Sequence, residues 1–85
     1  MLTDHLNEAA GGSAGPTDLA RILGIPRETL YRWLAAGRVN KTSDVAKLIA
    51  AWERHSPEPL PGSAPATLAM WRIRRDALIA GLCGL

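Results

Sequence analysis

Two short helix-patterned segments, broken by Gly-Ile-Pro, constrain this chain more than any other feature of it. Residues 16–35 read PTDLARILGIPRETLYRWLA. The spacing predicts a helix from Pro16 to Leu23, a tight turn, and a second helix from Arg27 to Ala35. Gly24 stands at the joint, where the backbone leaves the first helix and a left-handed conformation costs least without a Cβ. Pro26 cannot continue the first helix, but it can open the second, where no N–H partner is needed. Leu19, Ile22 and Leu23 make one apolar face by the i, i+3, i+4 rule, and Leu30, Trp33 and Leu34 make the facing one. Ile25 plugs the turn, and the small Ala20 lets the two backbones approach.

Such an arrangement leaves Arg27, Glu28, Tyr31, Arg32 and Ala35 outside on the second helix. Long, polar or planar groups on an outward helix face suit base edges in the major groove, which are read by hydrogen bonds and flat contacts. The order L-A-R-I-L-G-I-P-R-E-T-L-Y-R-W resembles the helix–turn–helix of bacterial and phage DNA-binding regulators, through Leu19, Ala20, Leu23, Gly24, Ile25, Leu30 and Trp33. Regulators of the lambda-repressor-like group usually carry a Ser or Thr cap where this chain has Pro26. The wording I-P-R-x-T-L-Y-R resembles instead Fis-like and enhancer-binding activator domains.

The resemblance implies an all-α, lambda-repressor-like domain of four to five helices. It implies a sequence-specific double-stranded DNA-binding transcriptional regulator, a homodimeric repressor on a palindromic operator, of phage, plasmid or bacterial origin. On that reading Arg27, Glu28, Tyr31 and Arg32 read bases: the arginines on guanine edges or flanking phosphates, Glu28 on a cytosine amino group, Tyr31 on a thymine methyl or a phosphate. Thr17 opens the preceding helix, and Arg38, Asn40 and Lys41 follow the recognition helix; these four are the expected phosphate contacts. The stretch Y-R-W-L-A-A-G also resembles small phage DNA-packaging and recombination-directionality proteins, which form rings or filaments or bend DNA. A protein-interaction module is the rival of a different class.

Charge distribution agrees with a phosphate-facing segment. Residues 1–20 carry Asp4, Glu8 and Asp18 and no base, a balance of −3. Residues 21–55 carry seven bases against Glu28, Asp44 and Glu53, a balance of +4, and residues 56–85 carry three bases against two acids, +1. The positive charge gathers around the proposed recognition helix, although the whole chain is only +2. At 85 residues the expectation is one small domain, with Trp33, Trp52 and Trp71 supplying bulk in the absence of Phe. A lone Cys83 permits no intrachain disulfide and fits a reducing cytoplasm, with the protein at the nucleoid. No signal peptide, membrane span, phosphate loop or metal-ligand spacing is apparent, so no cofactor, no metal and no enzymatic activity are expected. His5 and His55 read as surface or capping side chains.

The remaining segments arrange themselves around this unit. Residues 1–10 read as a first helix, with Thr3 as N-cap, Asp4 at its positive end, and Leu2, Leu6, Ala9 and Ala10 lying on the helix–turn–helix. Gly11 to Gly15 make a flexible connection. Gly37 ends the recognition helix. Thr42 or Ser43 caps a further helix whose Val45, Leu48, Ile49 and Trp52 show the clearest helical period in the chain and close over the recognition helix. The division expected is a DNA-binding core over 1–56, a proline-rich connector over 57–64 pinned by Leu60, and a C-terminal helix over 65–85. That last helix has two apolar faces: Leu68, Trp71, Leu78, Ile79 and Leu82 on one, Met70, Ile73, Ala77 and Ala80 on the other. Leu68, Trp71, Leu78 and Leu82 are the expected dimer contacts, the alternative being that the helix caps its own core.

Overall fold

Apolar periodicity becomes five helices in the computed structural model, which describes residues 1–12 and 15–85. They are α1 (Leu2–Ala10), α2 (Pro16–Leu23), α3 (Arg27–Ala36), α4 (Thr42–His55) and α5 (Pro65–Leu82), with no strand among the described residues. The chain is all-α, as expected. Ser13 and Ala14, in the expected flexible connection, lie outside the described residues. No described helix is long and apolar enough to cross a membrane.

Helix ends follow the backbone more than the side chains. Gly24 adopts φ 69° and closes α2, its N–H donating to the Arg21 carbonyl at 3.2 Å while the Ile25 N–H donates to Ala20 at 3.0 Å. Pro26 is extended, and its carbonyl accepts from Thr29 and Leu30 to start α3. Gly37, also left-handed, ends α3. The expected side-chain caps do not form. Thr3 lies inside α1, whose first turn starts from the Met1 carbonyl, and Thr42 and Ser43 lie inside α4, which starts from the Lys41 carbonyl.

One core holds all five helices. Leu6, Leu19, Leu30, Trp52, Leu78 and Leu82 are its largest fully buried side chains apart from Val39 in the α3–α4 loop. The broadest helix contact is α1 on α4; α1 also meets α2 and α5, so it sits at the centre of the packing and not merely on the α2–α3 unit. The α4 stripe expected to close over α3 packs chiefly on α1 and α5, with Val45, Leu48, Ile49, Ala51 and Trp52 buried. Ile22 is 46% exposed. Leu19, Ala20 and Leu23 centre the inward arc of α2, and Ile22 falls about 100° from that centre by helix geometry.

The C-terminal helix corrects the expected dimer surface. Leu78 and Leu82 are buried in the chain's own core, so neither is available to a second copy. Trp71 is half-buried and stacks on Trp52 at 5.5 Å between ring centroids, while its indole N–H donates to the Ser56 carbonyl at 2.7 Å. Leu68 is also half-buried. Arg75, which interrupts the inward face, reaches the Glu53 carboxylate at 3.1 Å. Leu82 accepts a hydrogen bond from the Val39 N–H at 2.7 Å, tethering the loop after α3 to the end of α5. Thus residues 65–85 close the same core as the first four helices, and the connector runs outside it with Leu60 79% exposed instead of pinned. The outward apolar groups of α5 are Met70 and Ile73.

Both histidines pack over glycines. A Cβ on Gly81 would overlap the His5 ring, so the absence of a side chain there sets the close approach of α1 to α5. His55 lies similarly over Gly11, with Cγ 2.8 Å from where a Cβ would stand. Among the described residues no group of His, Cys, Asp and Glu is arranged to hold a metal ion.

Candidate nucleic-acid interface

The core fixes α3 through Leu30 and Trp33, and the same 3.6-residue period that turns those two inward turns Arg27, Glu28, Tyr31, Arg32 and Ala35 to solvent. Tyr31 is 48% exposed, enough to offer a ring face while its stem rests on the helix. These side chains lie on one rigid element, anchored beneath by buried Leu and Trp and closed at both ends by the Pro26 and Gly37 backbone stops.

The four expected base readers divide in two. Arg27, Glu28 and Tyr31 occupy the open outer face. Arg32 instead borders a recess of about 330 Å³ between the α2–α3 turn and the start of α4. Gly24, Ile25 and Pro26 form one wall of it, Thr29, Arg32 and Trp33 another, and Asn40, Lys41, Asp44 and Lys47 the third. Two expected phosphate contacts, Asn40 and Lys41, therefore stand beside Arg32. The other two stand elsewhere. Thr17 is exposed on the first turn of α2, and Arg38 leans on the C-terminal end, its Cβ 3.1 Å from where a Gly84 side chain would begin. Lys47, which sequence spacing marks only as an outward group of α4, joins the recess from one turn beyond Asp44. Its i+3 relation to Asp44 is the signal that links it to the helix start.

Ion pairing separates the cations. Arg21 is held by Asp18 at 3.0 Å, Arg75 by Glu53 at 3.1 Å, and Arg74 approaches Glu8 at 4.0 Å. Among the described residues Arg27, Arg32, Lys41 and Lys47 have no such partner, nor do Arg38, Arg54 and Arg72. The positive charge of residues 21–55 is thus partly neutralised on α2 and left open along α3, the loop after it and α4. An exposed cation with no ion-pair partner still attracts an incoming anion, an attraction weakened by solvent and screened over a Debye length of about 8 Å at physiological salt.

Comparison of the chain with family models, with curated proteins and with solved structures finds no match.

Proposed function

We propose that α2 and α3 form a helix–turn–helix and that the protein is a sequence-specific double-stranded DNA-binding regulator of transcription. The observation that carries this reading is the outward face of α3, where Arg27, Glu28 and Tyr31 stand unpaired beside Arg32 on a helix fixed from below. An α-helix fits the major groove, and an arginine there donates two bonds to guanine while a carboxylate accepts from cytosine. Occlusion of a promoter is the simplest regulatory act for a helix–turn–helix seated on its site. Pairing of two copies, if it accompanies binding, uses surface other than Leu78 and Leu82, which the core occupies.

The test is selection of bound fragments from a random duplex library, followed by titration of the enriched site against a scrambled duplex. The reading expects one enriched sequence and a preference for it over the scrambled duplex of at least about a thousandfold. Binding without enrichment, or no binding at low salt, rejects it.

A further inference from the structure

We infer that the recess beside α3 is a seat for the phosphodiester backbone of one DNA strand, with Lys47 and Arg32 as backbone ligands alongside Lys41. This rests on the reading of α3 as a DNA-facing helix, and of the two ligands open to Arg32, a guanine edge or a flanking phosphate, it takes the phosphate. Three cationic side chains reach the recess from three parts of the chain: Arg32 from α3, Lys41 from the loop, Lys47 from α4. Each is exposed and, among the described residues, none is ion-paired. Asn40 and Thr29 add neutral hydrogen-bonding groups to the lining. Asp44 is the single acid there, so the local balance is two positive charges, three bases against one carboxylate.

Shape and backbone polarity favour the same ligand. At about 330 Å³ the recess admits a phosphate with its sugar, but it has the wrong lining for an apolar ligand. Pro26 and Thr29 belong to the start of α3, and Lys41 and Asp44 to the start of α4, so two helix beginnings border the recess. Neither start has a side-chain cap, so its first-turn N–H groups lack a side-chain acceptor and the positive end of each helix stays uncompensated by a cap. The recess adjoins Arg32 on the recognition helix, so a strand lying in it would flank a major groove occupied by Arg27, Glu28 and Tyr31. Backbone contacts of this kind set register and carry no sequence information.

The experiment measures affinity of the full chain for a selected duplex and for a scrambled duplex over a range of NaCl concentrations. Lys47→Ala should weaken both duplexes alike and reduce the slope of log K against log salt by about 1. Lys47→Arg should restore the slope, and Asp44→Asn should tighten both duplexes. Arg32→Ala should also weaken both equally. As a control, Arg72→Ala on α5 should leave the slope unchanged. A wild-type slope in Lys47→Ala, an equal loss in Arg72→Ala, or a loss confined to the selected duplex in Arg32→Ala overturns the inference while leaving DNA binding intact. If the wild-type chain binds no duplex, the functional reading fails and this inference with it.

Discussion

Trp52 gives the sharpest test of how the core is built. It is fully buried, stacks on Trp71 at 5.5 Å, and its indole N–H has no hydrogen-bond partner among the described residues. Deleting the ring to Ala removes roughly 150–250 Å² of buried surface, about 4–6 kcal/mol at 25 cal/mol per Å². The lost stack adds about 0.5–1.5 kcal/mol. Removing a buried, unsatisfied N–H returns about 1–3 kcal/mol. The net expectation for Trp52→Ala is a loss of about 3–5 kcal/mol, within the usual range for large aromatic deletion and comparable with the whole stability of a small domain. Trp52→Phe keeps most of the surface and removes the N–H, so it should cost no more than about 1 kcal/mol by the same terms. Urea unfolding followed by circular dichroism at 222 nm measures both without relying on Trp fluorescence. A loss well above about 1 kcal/mol in Trp52→Phe would show that the N–H is not the orphan described here. A loss below about 1 kcal/mol in Trp52→Ala would refute the placement of α4's stripe in the core.

Cutting the chain after Gly62 should abolish the cooperative thermal transition, because Leu78 and Leu82 leave the core with α5; a truncated chain that still melts cooperatively contradicts the packing. Gly24→Ala has open space around it but a φ of 69°, so it should cost about 1–2 kcal/mol from backbone strain alone, read as a lowered Tm. Gly81→Ala should destabilise the wild type but stabilise a His5→Ala background by up to about 1 kcal/mol through helix propensity, and a double-mutant cycle with no coupling would remove the proposed close approach.

Much of the architecture is legible in the sequence because its signals are local. The Gly24 stop, the extended Pro26 and the period of α4 each depend on neighbouring residues, and each appears where the spacing places it. What the sequence does not fix is which partner covers a given face. Leu78 and Leu82 share an apolar face on α5, but only the tertiary fold decides that this face meets the chain's own core. Val39 is a lone apolar residue in a polar loop, with no period to mark it, and its burial depends on the distant Leu82 carbonyl. The expected threonine and serine caps fail because the helices begin one or two residues earlier, from the Met1 and Lys41 backbone carbonyls. For the candidate interface, the outward set on α3 follows from period alone. The convergence of Arg32, Lys41 and Lys47 required the α2–α3 turn and α4 to be placed in space.

Sequence-dependent binding by the outer face of α3 is the central claim, and the ratio of affinities for a selected and a scrambled duplex measures it most directly. Arg27→Ala leaves the buried Leu30 and Trp33 untouched, so the fold should persist with an unchanged circular dichroism spectrum. Loss of a bidentate base contact, about 1–3 kcal/mol, should lower that ratio roughly five- to 150-fold, with little change for the scrambled duplex. An unchanged ratio in both Arg27→Ala and Tyr31→Ala, in folded protein, would contradict the assignment of α3 as the reading helix.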